Sequence, residues 1–290
     1  MRFSTTLKVL LAISFWGASF IATKVSLREL FPLTVIVLRS TLGLAVMVTV
    51  VLWRRQTARV NSRDLGWLAL LGFIGITFHQ LLQAFALKIT TAINTGWIIA
   101  LIPIFTAILA WLILKEHFGA RKTLGIAIAT LGALIVITRG NLHQLPWKYA
   151  SIGDGLILVS AIIWALFTIL SKRVIDRYPP TVFITYIMAL GWLMLLPLFI
   201  IQSGWRSILN LSTSGWASII FLGVACSGLA YIFWYDALAE SEASKVASFL
   251  YIEPIITVLV ASSLIGEQVT WPSMVGGAII LLGVWMVNRK

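Results

Sequence analysis

Charge is what this chain has least of. Of its 290 residues only 11% are Asp, Glu, Lys or Arg, and the acids number just 10. A soluble domain carries roughly 25% charged residues, whereas here the charges sit as short clusters between long apolar runs, so no second, polar domain is expected. Histidine is limited to His79, His117 and His143, and cysteine to Cys226. A single cysteine excludes an intrachain disulfide. His117 and His143 fall in different loops, and Asp64, Asp154, Asp176 and Asp236 are scattered at the ends of apolar runs. No metal-ligating cluster and no Ser/His or Cys/His pairing emerges. No cofactor, no metal and no enzymatic activity are therefore expected. Alternating ten-residue strands are also missing, which sets aside a β-barrel.

What fills the chain instead is apolar side chain, 60% of it, with a mean hydropathy of +0.98. Ten runs reach or approach the length of about 20 residues that crosses a bilayer: 7–23, 33–53, 67–87, 93–114, 123–138, 152–170, 182–202, 216–237, 246–265 and 273–288. The expected fold is an all-α integral membrane protein of ten transmembrane helices. The first run lacks a small-residue cleavage site and contains Trp16, so it reads as a span and not as a signal peptide.

A net charge of +12 invites a nucleic-acid partner, but its placement argues otherwise. With the N-terminus in the cytoplasm, 15 basic residues fall inside: Arg2, Lys8, Arg54, Arg55, Arg59, Arg63, Lys115, Arg121, Lys122, Lys172, Arg173, Arg177, Lys245, Arg289 and Lys290. Five fall outside: Arg28, Lys88, Arg139, Lys148 and Arg206. Such an excess is the positive-inside signature. It predicts a multi-pass protein of the cytoplasmic (inner) membrane with both termini cytoplasmic, the lipid bilayer as its surroundings and no nucleic-acid partner.

The hydrophobic pattern occurs twice. Trp16, Lys24 and Pro32 recur as Trp164, Lys172 and Pro180 at an offset of 148. Ala86-Leu87, Pro103, Glu116, Gly125 and Gly132 recur as Ala237-Leu238, Pro254, Glu267, Gly276 and Gly283 at an offset of 151. Each copy holds an odd number of spans, so the copies must enter the bilayer in opposite senses. Inverted repeats of this kind build many secondary transporters, with the substrate site near the midplane between them. The expected division is a first repeat over 1–140 and a second, inverted, over 150–290.

The order of these elements carries a resemblance. The text from Ala12 to Lys24, then Phe31-Pro32, Leu38-Arg39, Thr90-Thr91-Ala92, Leu101 to Ala107 and Leu114-Lys115-Glu116 reappears in outline. Its second appearance runs through Trp164 to Lys172, Tyr251 to Pro254 and Leu264 to Glu267. The chain resembles the EamA family of the drug/metabolite transporter superfamily along essentially its whole length. That resemblance implies two inverted five-helix halves and export or exchange of small metabolites such as amino acids or their derivatives. The copies differ: Ile187 stands where Arg39 does, and Ala165 where Gly17 does. A site symmetric about the pseudo-twofold is therefore not expected.

Unpaired polar groups at membrane depth cost several kcal/mol, so each is a functional candidate. Glu253 lies eight residues into the ninth run, where desolvation disfavours its charged form. It reads either as a proton or substrate group of a proton-coupled exporter, or as a structural partner to a base. Pro103 and Pro254 break matching helices and read as hinges. His79 and Gln83 share a helical face, and the aligned stretch offers Tyr231, Trp234 and Tyr235. Asn94 and Trp97, one turn apart at the start of the fourth run, are expected to cap or line the same cavity, and Trp16, Trp164 and Tyr251 to line it. Arg39 reads as a snorkelling or paired structural charge, or as the anchor of an anionic substrate group. Lys24 is a charge anchor or part of a gate, and Glu116 and Glu267 read as loop structure. The expected function is secondary transport of a small molecule by a protein in which a monomer is favoured. A facilitative channel or an intramembrane enzyme is the alternative.

Overall fold

A computed structural model describes residues 2–56, 60–115, 119–140, 149–172, 174–241, 246 and 248–288. Among the described residues every regular element is helical. Eight helices are long and apolar enough to cross a membrane: α1 (Phe3–Ser26), α2 (Pro32–Trp53), α3 (Ser62–Leu87), α4 (Ala92–Ile113), α5 (Ala120–Ile137), α6 (Ile152–Ser171), α7 (Pro180–Ile201) and α8 (Thr213–Glu240). Two shorter apolar helices, α9 (Phe249–Ile265) and α10 (Trp271–Val287), complete the set. Glu116, His117, His143, Arg59, Lys148, Arg173, Lys245, Arg289 and Lys290 lie outside the described residues.

Local chemistry fixes where the helices start and stop. Pro32 and Pro180 occupy the first turn of α2 and α7, where a missing N–H costs nothing. Side-chain oxygens of Asn61, Thr91 and Ser212 accept backbone N–H groups at the starts of α3, α4 and α8, satisfying donors that have no helical partner. Several helices outrun their apolar stretch: α1, α3 and α8 each extend at least three residues beyond the expected runs. The apolar run measures hydrocarbon thickness, whereas the helix continues wherever polar ends find partners.

Two helices are interrupted. In α4 the α-helix Ala92–Ile99 stops, and Ile102–Leu114 resumes after two residues with Pro103 in its first turn. In α9 a 3-10 turn, Ser248–Ile252, leads into α-helix Glu253–Ile265, again with a proline, Pro254, in the first turn. Both segments end on a left-handed residue, Lys115 (φ 54°) and Gly266 (φ 66°). Two further departures are wide π turns, Phe73–Phe78 in α3 and Phe221–Leu229 in α8.

Helices of the first 140 residues pack mainly on helices of the rest. α1 lies against α8 and α9, α2 against α7 and α8, α3 against α6 and α7, and α4 against α6 and α9. The closest approach is α5 on α10. A Cβ on Gly132 would sit 2.6 Å from the Gly276 carbonyl oxygen, and one on Gly125 2.7 Å from that of Gly283. Only glycine lets two backbones meet so closely, an arrangement suited to helices that lack a hydrophobic drive between them.

Buried apolar residues form two main cores. One gathers Ile98, Ala129, Ile157 and Val284 from α4, α5, α6 and α10. The other gathers Met47, Leu71, Phe167, Phe183 and Tyr231 from α2, α3, α6, α7 and α8. The outer surface is apolar as well, with Leu52, Leu131, Leu198, Ile201 and Leu264 all more than half exposed. A soluble protein does not present such a belt; a bilayer solvates it.

Candidate functional site

Between the two cores lies a cavity of about 840 Å³. It is walled by α1, α2, α3, α4, α6, α8 and α9, with Lys122 of α5 and Val287 of α10 also in the lining. Eleven of the expected site residues line it: Trp16, Arg39, His79, Gln83, Pro103, Trp164, Tyr231, Tyr235, Tyr251, Glu253 and Pro254. Asn94, Trp97 and Lys24 stand elsewhere.

Its aromatic wall is one continuous set of rings. Trp16 meets Tyr231 edge-on at 5.5 Å and Trp234 at 5.3 Å. Trp164 meets His79 and Phe167, each at 5.0 Å, and Tyr231 at 6.3 Å. Tilted pairs at these separations are favourable beyond their burial. Trp16 is oriented further by its indole N–H, which donates to the Cys226 carbonyl at 3.2 Å. That carbonyl belongs to the π turn of α8, and π turns recur at functional sites because they release backbone groups from the α ladder.

Polar groups interrupt this wall. His79 follows the π turn of α3, and its Nδ1 lies 3.0 Å from the Ser160 carbonyl. A carbonyl only accepts, so Nδ1 carries a proton. His79 is thus at once an interhelical donor and a cavity residue. Gln80 also lines the cavity, with a buried Oε1 that has no partner among the described residues. Arg39 is buried, 6% exposed, and does not snorkel. Its Nε donates to Ser227 Oγ at 2.9 Å, and among the described residues no carboxylate pairs with it. Glu253, 8% exposed, makes no side-chain hydrogen bond or ion pair among the described residues. Its backbone carbonyl accepts from Thr257, whose hydroxyl also reaches the Gly17 carbonyl at 2.9 Å. Glu253 is thereby seated against α1.

The cavity reaches the surface at one end, where Lys122, Lys172 and Asp176 line it. Around that end the scarce acids are matched to bases. Arg54 grips Asp236 through two 2.8 Å bonds, and that hydrogen bonding raises the Arg54 pKa further. Lys8 meets Glu240 at 2.6 Å, and Arg177 meets Asp64 at 2.7 Å.

Along α1 the lining ends at Phe20, and beyond it polar side chains bond to one another. Lys24 Nζ donates to Glu267 Oε1 and to the Thr90 carbonyl, both at 2.8 Å. The same carboxylate accepts the N–H groups of Ala92 and Ile93 at 3.0 Å each, capping α4. Beside it Asp154, fully buried, accepts from the Thr90 hydroxyl and, at 3.0 Å, from Asn94 Nδ2. Asn94 therefore belongs to this seal and not to the cavity lining. Trp97 packs against Gly277, and its indole N–H has no partner among the described residues. Further out, the hydroxyl and backbone N–H of Ser212 hold the Glu29 carboxyl below its ordinary pKa. Among the described residues no group of His, Cys, Asp and Glu is arranged to hold a metal ion.

Sequence reasoning missed Ser19, Thr106, Thr168 and Phe167 in the lining, and it missed Asp154 and Glu267 as parts of one closure. Both acids sit at helix ends, where a solvated role is the common one, and only the fold brings them to Thr90.

The sequence profile of the EamA-like transporter family matches residues 4–138 and again residues 151–289. An uncharacterized transporter of Archaeoglobus fulgidus is 29% identical, covering 100% of this chain and 99% of its own. The uncharacterized transporter YyaM of Bacillus subtilis is 30% identical over 93% of this chain and 88% of its own. A probable terminal-alkyne amino-acid exporter of Streptantibioticus cattleyicolor is 27% identical over 80% of this chain and 76% of its own. A solved crystal structure superimposes with a TM-score of 0.70 over 99% of both chains at 19% identity, a likeness of fold.

Proposed function

The chain belongs to the EamA-like transporter family, and from that premise we propose that it moves a small, partly apolar metabolite by alternating access between two inverted five-helix repeats. The ten spans divide into 1–140 and 150–290, and both termini lie in the cytoplasm of a cell whose inner membrane holds the protein. The cargo is an amino acid or a related compound, exported or exchanged, and Glu253 couples its passage to protons.

One observation carries this reading: a deep cavity with buried polar groups on its wall reaches the surface at the Lys172 end and ends short of the Lys24 contacts. A channel needs a path open at both ends at once; a carrier needs two closures that alternate. The excess of basic residues supports placing the Lys172 end in the cytoplasm, which makes this an inward-facing conformation.

Matching positions in the two halves also make matching contacts, as inversion requires. A Cβ on Gly43 would lie 2.6 Å from that of Ser227, and one on Gly191 2.7 Å from that of Ile76. Gly43 and Gly191 are 148 apart, and Ile76 and Ser227 are 151 apart. The broken helices α4 and α9 both border the cavity at Pro103 and Pro254, the arrangement expected of a transport site. The amino-acid exporter among the relatives supports the class of cargo.

The test is counterflow. Purified protein in liposomes preloaded with members of a metabolite panel should accumulate the labelled form of one of them. A panel of amino acids and derivatives that produces no protein-dependent uptake counts against the proposal.

A further inference from the structure

Arg39 is a buried base without a buried acid. Arg39 as a whole is 6% exposed and lines the cavity. Ser227 takes its Nε at 2.9 Å, and no described residue accepts from Nη1 or Nη2. Taking a charge out of water without a partner costs several kcal/mol, so a protein keeps such a group where something brings the counter-charge. The geometry narrows what that is. Ser227 lies in the π turn of α8 and fixes one edge of the guanidinium plane. The remaining nitrogens form the planar fork that binds a two-oxygen anion in bidentate fashion. Tyr231, within electrostatic reach of Arg39, and the rings of Trp16 and Trp164 supply apolar and π surface beside the charge. Glu253 lines the same cavity, and in its charged form it repels a doubly charged anion about twice as strongly as a single carboxylate.

We propose that Arg39 is the receptor for the anionic group of the cargo, that Ser227 is its positioning residue, and that the molecules this cavity takes carry one carboxylate. The matching position in the other half is Ile187, buried in an apolar core, so there is one such receptor per chain. The inference deepens the transport reading and rests on it only for what happens after binding.

The test separates binding from movement. Purified full-length protein in detergent is unfolded thermally with four probes that share one apolar side chain: 3-phenylpropionate, phenylalanine, phenylalaninamide and phenethylamine, with phenyl phosphate as a fifth arm. Ligands that bind the folded state raise the midpoint by mass action. The two carboxylates should stabilise, with affinities roughly 10- to 100-fold above those of the amide and the amine, the span of a charge-assisted hydrogen-bonded pair. Phenyl phosphate should bind more weakly than either carboxylate. R39Q should collapse the acid-to-amide ratio towards one, R39K should retain part of it, and S227A should lower it several-fold.

Equal stabilisation by acid and amide, phosphate binding tighter than the carboxylates, or no shift with any probe overturns the proposal. So does an R39Q protein that keeps the ratio. Should R39Q fail to fold, the wild-type ratio and S227A still decide, because a general loss of stability does not change discrimination between two ligands. Carboxylates that bind through Arg39 but are never moved by liposomes would leave this inference standing and refute the transport reading.

Discussion

Glu267 invites a direct trial of alternating access. Its carboxylate joins three elements: Lys24 at the end of α1, the first two N–H groups of α4, and its own loop between α9 and α10. Glu267→Gln keeps one acceptor oxygen, but it removes the ion pair and one of the two capping bonds. A lost cap is worth about 1 kcal/mol, and a part-exposed ion pair up to about 1 kcal/mol. The sum, about 2 kcal/mol, shifts an open-to-closed ratio roughly 30-fold. The reporter is Ser19→Cys, a cavity residue, placed in a Cys226→Ser background that removes the chain's one native thiol. A membrane-impermeant maleimide added from the Lys24 side should label the reporter slowly with Glu267 present and at least 10-fold faster in Glu267→Gln. Lys24→Gln should act in the same direction. Equal labelling rates in all three proteins would refute the view that this contact holds that end shut.

Three further outcomes are expected. Glu253→Gln should abolish stimulation of uptake by a pH gradient while leaving counterflow intact, measured in liposomes with and without the gradient; identical gradient responses in mutant and wild type would remove Glu253 from coupling. Gly132→Val should force apart the α5–α10 backbones, costing about 1–3 kcal/mol, seen as a lower unfolding midpoint in detergent, whereas a substitution at lipid-facing Leu131 should be near neutral. Glu29, held by Ser212 below its ordinary carboxyl value of 4.5, contributes stability that is present above that value and lost as pH falls through the lower folded-state value. Glu29→Gln should therefore flatten the acid limb of an unfolding curve, and an unchanged limb would place the acid sensitivity elsewhere.

Much of the fold was legible because a bilayer writes it in length and hydropathy. The apolar runs located each helix, and Pro103 and Pro254 located both interruptions by chemistry that holds anywhere: a proline continues no α ladder behind it. What escaped was hydrogen-bond register and long-range pairing. The π turns at Phe73–Phe78 and Phe221–Leu229 leave no mark on a hydropathy plot, yet they set the facing of His79 and Tyr231. Glu267, which the sequence suggests as loop structure, caps a helix 175 residues away. Asn94, which begins an apolar run beside Trp97, suggests capping or cavity lining; its pairing with Asp154 shows only in the fold. Arg39 was recognisable as an outlier in the second run, but snorkelling and burial are told apart only by knowing that Ser227 lies beside it.

The two halves agree where they pack and differ where they face the cavity. Lys115 and Gly266, 151 residues apart, end their helices in the same left-handed conformation, and Gly125 and Gly132 meet Gly283 and Gly276 in reciprocal order. The proposed alternating access needs a frame with two arrangements, and reciprocal contacts of this kind suit one. Arg39 breaks the agreement. Its counterpart Ile187 is buried in an apolar core with no charge to neutralise. A cavity that closes around an unpaired guanidinium strands that charge in low dielectric, whereas one that closes around a bound carboxylate does not. On the proposed transport reading, exchange of one cargo molecule for another should therefore run faster than the return of an empty carrier, which a comparison of counterflow with net efflux from liposomes checks; equal rates would refute it.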